Sequence, residues 1–130
     1  NSTGKLIVRT QGTNQLAIDN TGLNLVNNGK LTKAATGLND LLPACYGAVN
    51  ADGTLISGTP NMTVTHTVSG NGQYYINFPG IGPNAVALIT PRSSNRTSAS
   101  AMNPGVGIWV GFTNSGVYTD TPFNFVIFNP

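Results

Sequence analysis

The chain has 130 residues, a formal net charge of +2, and charged side chains at only 8% of its positions. Ordinary globular chains carry roughly 25% charged residues, so this chain is poor in charge. Its six basic residues are scattered rather than clustered, which argues against the basic face of a nucleic-acid-binding protein. No apolar run approaches the roughly 18 residues of a membrane span. The length predicts one domain, or one domain with a short appendage.

The residue types predict an all-β protein. The sequence contains 16 Gly and 8 Pro, is rich in Asn and Thr, and has no Glu at all. Thr favours strands, while Asn, Gly and Pro favour turns. The strong helix formers Glu, Lys and Gln are scarce, so no long helix is expected.

Residues 1–33 contain very short apolar runs that are broken by polar turns. The runs lie at 6–8, 16–18 and 23–26. Their regular spacing resembles that of a fibrous β shaft, so we predict a short-strand stalk or neck here. Edge strands of one larger sandwich are the alternative. Residues 34–44 are predicted to bridge this segment to the rest of the chain.

Residues 45–130 carry longer strands separated by explicit turns, such as those containing Asp52-Gly53 and Gly70-Asn71-Gly72. Many short strands separated by such turns predict a sandwich or jelly roll. The predicted strands lie at 46–49, 54–56, 62–68, 74–78, 85–90, 97–102, 106–112 and 123–128. In the strand at 62–68, alternation places Met62, Val64, His66 and Val68 on the core face.

The last of these strands is apolar on both faces. A half-buried strand needs only one apolar face, because successive side chains point to opposite sides of a sheet. Val126 and Phe128 share the second face, which predicts a cover beyond the strand's own core. We expect that cover to be another copy of the chain, although the 1–33 segment could supply it within one chain. The candidate residues for a trimer interface are Ile89, Trp109, Val126 and Phe128. Gly107 and Gly111 flank Trp109 and are expected to leave room for a close neighbour.

Few residues are suited to catalysis or metal binding. The chain has one cysteine, Cys45, and one histidine, His66. A zinc site needs three or four ligands, and glycoside hydrolysis needs two facing carboxylates. We therefore predict a non-enzymatic protein without cofactor or metal. His66 falls on the core face of a Thr-rich strand and is predicted to be a hydrogen-bonded structural residue, and Cys45 a buried, inert thiol.

The loop at 91–98 is the densest predicted hydrogen-bonding surface. Its guanidinium groups could bind a carboxylate, phosphate or acidic sugar, and in an oligomer such an anion could bridge two protomers. An ordinary solvated loop is the alternative. Tyr75, Tyr118 or Trp109 could offer an aromatic plane to a sugar ring, or could simply pack. The candidate ligand or receptor residues are Arg92, Ser93, Asn95, Arg96 and Tyr118.

Several segments carry a resemblance to a known family. The segments are Tyr46-Gly47-Ala48-Val49-Asn50-Ala51-Asp52-Gly53-Thr54, Asn61-Met62-Thr63-Val64-Thr65, Gly72-Gln73-Tyr74-Tyr75-Ile76-Asn77-Phe78 and Phe123-Asn124-Phe125-Val126-Ile127. Together they resemble the trimeric C1q/tumour-necrosis-factor-like jelly rolls that end bacteriophage tail fibres and the tail needles of short-tailed phages. The resemblance covers about residues 45–130.

The resemblance implies a homotrimeric knob at the distal tip of the phage tail, carried in the virion. Its expected partner is a host cell-surface component, either a glycan or an outer-membrane molecule. The competing interpretation is a secreted or surface C1q-like adhesin or lectin, and a trimeric virion-borne depolymerase is a third. The chain has no collagen-like Gly-x-y repeat, which argues against the secreted animal members of the C1q-like family. It also has no long heptad repeat, so a needle shaft, if one exists, is expected upstream.

Overall fold

The computed structural model describes residues 6–10, 13–19, 22–25, 42–94, 97–103 and 107–129. Within these ranges the regular structure consists of strands, with no helix, which confirms the predicted all-β class. The chain divides into two compact units, Asn1–Leu41 and Leu42–Pro130.

The first unit contains a three-stranded antiparallel meander. Its strands are β1 (Leu6–Thr10), β2 (Thr13–Asp19) and β3 (Gly22–Leu25), with β2 in the centre. Leu16 of β2 pairs with Val8 on one side and Leu25 on the other, so a row of apolar residues crosses the sheet. The interpretation of this segment as a stalk stays a prediction.

The second unit contains two antiparallel sheets in a sandwich-like arrangement. One sheet has the order β5-β4-β12-β8; the other has the order β11-β10-β7-β6, with β9 also paired to β10. The strands are β4 (Cys45–Val49), β5 (Leu55–Gly58), β6 (Thr63–His66), β7 (Gln73–Asn77), β8 (Val86–Pro91), β9 (Thr97–Met102), β10 (Ile108–Asn114), β11 (Val117–Tyr118) and β12 (Phe123–Phe128).

The core of this unit forms because alternate residues of each strand point inward. One sheet contributes the buried side chains of Phe123, Phe125 and Ile127 from β12, as their alternation predicts. The other contributes buried residues of β7 and β10, including Tyr74 and Phe112. The ring centroid of Phe123 lies 5.0 Å from that of Tyr74 and 5.0 Å from that of Phe112, so aromatic contacts join the two sheets.

Two expectations about side-chain positions are wrong. Val68 was expected on the core face of its strand, yet it is 62% exposed. β6 ends at His66, and a turn closed by the Asn71 N–H on the Val68 carbonyl (3.2 Å) directs the chain away from the core. Gly107 was expected to leave room for a neighbouring chain. The ring of Tyr75 fills that space instead, within the same chain.

Candidate functional site

The predicted anion-binding loop is only partly described. Arg92 is exposed, and its backbone N–H donates to the Pro122 carbonyl (2.7 Å), which ties the start of the loop to the segment before β12. Ser93 is half-buried. Asn95 and Arg96 lie outside the described residues, so an anion site at this loop stays a prediction.

The four interface candidates do not form one patch. Val126 and Phe128 lie on the outer face of β12, as expected. Ile89 pairs with Phe125 and packs against the core, because the alternation of β8 places it on the inner side. Trp109 lies on the outer face of β10, in the other sheet. Since both outer faces point away from the shared core, Trp109 is on the side of the sandwich opposite to Val126.

Five side chains form a continuous surface that we call the apolar face. They are Tyr46, Val86, Leu88, Val126 and Phe128. The strand register aligns Tyr46, Val126 and Leu88 in one row across three strands and places Phe128 opposite Val86 in the next row. Tyr46 and Leu88 are each 58% exposed and Val86 is 51% exposed. A contiguous exposed apolar patch of this kind is typical of an interaction surface.

The other sheet carries an open groove on its outer side, which we call the aromatic groove. Its volume is about 410 Å³. Gly111 lies between the positions of Trp109 and Thr113 along β10, and Tyr118 pairs with Thr113 across the hairpin. The groove therefore has an aromatic residue toward each end. Its lining residues are Gln73, Met102, Trp109, Gly111 and Tyr118, together with Ala101 and Val110.

The predicted hydrogen-bonded histidine has an acidic partner. His66 Nε2 lies 2.9 Å from Asp120 Oδ1, and the imidazole ring stacks on Tyr74 at a centroid distance of 4.7 Å. Asp120 also accepts hydrogen bonds from the backbone N–H groups of Gly70 (2.6 Å) and Gly72 (2.9 Å). Partial burial raises the pKa of Asp120, but these hydrogen bonds and His66 hold it below its ordinary value overall.

This His–Asp pair cross-links the fold. It joins β6 to the segment before β12 and fixes the turn at 70–72 by two N–H donors. One side of the imidazole is occupied by Tyr74, and the Gly53 backbone lies against the His66 Cβ. The hydrogen bond of His66 is thus confirmed. Its partner was missed, because 54 residues separate the two and no sequence spacing signals the contact.

Two other titratable side chains, Asp52 and Cys45, have local environments that account for them. Asp52 accepts hydrogen bonds from the hydroxyl (2.6 Å) and the N–H (2.9 Å) of Thr54, and these lower its pKa. Cys45 is fully buried, and burial raises the pKa of its thiol to about 11. Because a thiolate is the reactive form, this thiol is inert near neutral pH, as predicted.

Within the described part of the chain, no three His, Cys, Asp or Glu side chains lie close enough together to hold a metal ion. The same residues include no helix that is long and apolar enough to cross a bilayer.

Comparisons with known protein families, with curated proteins and with solved structures find no match to this chain.

Proposed function

We propose that this chain is the non-enzymatic, homotrimeric tip of a phage tail needle or fibre, which contacts or penetrates the host cell envelope. The observation that carries the proposal is the apolar face. Three of its five side chains are more than half exposed. Burying a large apolar side chain stabilises a protein by about 1.5–3 kcal/mol. Association through this face would therefore be favoured, because it removes these side chains from water.

The strand order supports the TNF/C1q-like jelly roll that the sequence resemblance implies. The first and last strands of the second unit, β4 and β12, are antiparallel neighbours. A strand that returns to lie beside the first is typical of Greek-key connections, from which jelly rolls are built. In the proposed trimer the apolar faces of three protomers pack around a three-fold axis, because closed symmetry presents the same patch from each copy.

Sedimentation of the full chain at micromolar concentration tests the assembly. We expect about three times the chain mass of 13.5 kDa. Leu88→Asp should give single chains, because it places a charge at the β8 end of the exposed row without touching the core. Thr63→Asp is the matched control: it adds the same charge at an exposed position of the other sheet and should remain trimeric.

A wild-type chain that sediments as a monomer would overturn the trimer. That result would favour the alternative in which residues 1–33 cover the apolar face within one chain. Dissociation of both variants would show that any added charge disrupts assembly, and would remove the apolar face as its cause.

The second candidate function is a C1q-like glycan-binding adhesin or lectin, and the aromatic groove favours it. An aromatic lining with a few polar groups is typical of small-molecule sites. The two candidates differ in what surrounds this domain. A coiled-coil shaft in the full-length parent protein would support the tail tip, whereas a secretion signal would support the adhesin.

A further inference from the structure

The aromatic groove is built around one exposed indole. Trp109 is 36% exposed and lies between two cross-strand partners, Tyr75 on β7 and Met102 on β9. Its ring centroid lies 4.9 Å from that of Tyr75. The next outward position of β10 is Gly111, which has no side chain of its own and also lines the groove. The ring is therefore held in place and borders open space.

The length of the groove exceeds that of a single sugar ring. Trp109 and Thr113 are four residues apart on β10, and an antiparallel strand rises about 3.4 Å per residue, which separates them by about 13–14 Å. Tyr118 pairs with Thr113 and is 53% exposed. The two aromatic residues thus mark the ends of a site that is long enough for several linked rings.

Polar groups of the groove are available to a ligand. Among the residues that the structure describes, neither the Gln73 side-chain amide nor the Trp109 indole N–H has a hydrogen-bond partner. Gln73 pairs with Gly111 across the strands, so its amide lies beside the open centre of the groove. Hydroxyl groups of a ligand could use these donors and the amide acceptor.

Charge restricts the ligand further. None of the described residues that line the groove carries a charge at neutral pH. Among these described residues a nucleic acid or an acidic peptide would find no cation to pair with its phosphates or carboxylates. Aromatic rings contact the apolar faces of sugar rings, while amide and indole groups bind the hydroxyls at their edges. Neutral carbohydrate fits this combination of groups.

We propose that the aromatic groove binds a neutral oligosaccharide, with Trp109 and Tyr118 stacking on separate sugar rings and Gln73 hydrogen-bonding between them. The inference rests on the proposed attachment function and names the class of host molecule that is contacted. The groove lies on the side of the sandwich opposite to the apolar face. Each protomer of a trimer therefore keeps its own complete groove, and a dissociated protomer keeps it too.

Intrinsic fluorescence gives a direct readout, because Trp109 is the single tryptophan of the chain. The full chain is titrated to millimolar concentration with neutral hexasaccharides of glucose, mannose and N-acetylglucosamine. Hexagalacturonate, single-stranded dT6 and a neutral hexapeptide serve as probes of the other ligand classes. We expect a saturable change in tryptophan emission with at least one neutral hexasaccharide and none with the other probes.

Variants locate the binding. Tyr118→Ala and Gln73→Ala retain the fluorophore and should each weaken the dissociation constant about tenfold, the size expected for losing one aromatic or hydrogen-bonding contact. Val117→Ala is the matched control: it truncates an exposed neighbour on β11 that does not line the groove, and should bind like wild type.

The carbohydrate site and the trimer can be tested independently of each other. Leu88→Asp should bind the hexasaccharide with unchanged affinity even as a single chain, because the groove lies within one protomer. Absence of a saturable change with every neutral hexasaccharide overturns the carbohydrate assignment and leaves the sedimentation result standing. A response only to hexagalacturonate, dT6 or the peptide assigns the groove to that ligand class instead. Equal binding by all variants would place the site elsewhere.

Discussion

Removing one hydroxyl from the core, by Tyr74→Phe, should destabilise the second unit far more than its size suggests. The Tyr74 side chain is fully buried, and its ring contacts Phe112 and Phe123. Its hydroxyl donates to the Ala51 carbonyl (2.7 Å) and accepts the Thr121 N–H (3.0 Å). The substitution keeps the ring contacts and removes both hydrogen bonds.

The Thr121 N–H and the Ala51 carbonyl, which lose their partner in the variant, set the size of the stability loss. Thr121 is 2% exposed, so water cannot replace the lost acceptor for its N–H. A buried donor without a partner costs about 1–3 kcal/mol, and a lost hydrogen bond to the less buried Ala51 adds about 0.5–1.5 kcal/mol. The expected loss is about 1.5–4.5 kcal/mol in the free energy of unfolding, which corresponds to a fall in Tm of roughly 5–35 °C for a unit of this size.

Urea unfolding followed by tryptophan fluorescence measures this loss, because Trp109 lies in the same unit as Tyr74. The midpoint should fall while the slope with denaturant stays unchanged. Tyr118→Phe is the matched control: it removes the same atom from a ring that is 53% exposed, and should change stability by less than about 0.5 kcal/mol. Equal losses in the two variants would refute the argument that Tyr74 bridges two buried groups.

Three further substitutions test the turns. Asp120→Asn should cost about 1–3 kcal/mol at pH 7, because the amide nitrogen that takes the place of Oδ2 cannot accept the Gly70 N–H. The pKa of Asp120 is lowered by folding, so its carboxylate stabilises the fold above the ordinary value of 3.8 and loses this effect as pH falls through the folded-state pKa. Unfolding free energies of wild type and variant should therefore converge toward pH 2, and a constant gap would contradict this. In the β10–β11 hairpin, Ser115 and Gly116 have φ of 52° and 81°, and no described heavy atom lies within 4 Å of an added Cβ at Gly116. Gly116→Ala should therefore cost about 1–2 kcal/mol through the backbone alone, and Ser115→Asn should raise Tm, since Asn tolerates the left-handed region; an Asn variant that melts no higher would contradict this.

The fold class and most strand faces follow from local pattern. The alternation of Phe123, Phe125 and Ile127 assigns one face of the last strand to the core because successive side chains in any strand point to opposite sides. Gly, Asn and Pro mark the turns for an equally local reason, since they adopt backbone angles that other residues avoid. β11 was not predicted, because a two-residue strand has no periodicity to detect.

The candidate sites depend on which strands become neighbours. Sequence pattern shows that Trp109 and Val126 each point away from a core. It does not show that their sheets lie on opposite sides of the sandwich, so a single interface was expected. Ile89 lies on the inner side rather than in the expected interface, because the register of β8 against β12 decides its face.

The all-β class, the turns, the scarcity of charge and the surplus of apolar side chains on the strands all follow from the residues in chain order. Only the packing of the strands brings Asp120 to His66, fills the space beside Gly107 with Tyr75, and sets Gln73 opposite Gly111. The physical reason is that period and propensity act between residues adjacent in the chain. Pairing register and sheet stacking join residues that are distant in it, and those contacts define both the apolar face and the aromatic groove.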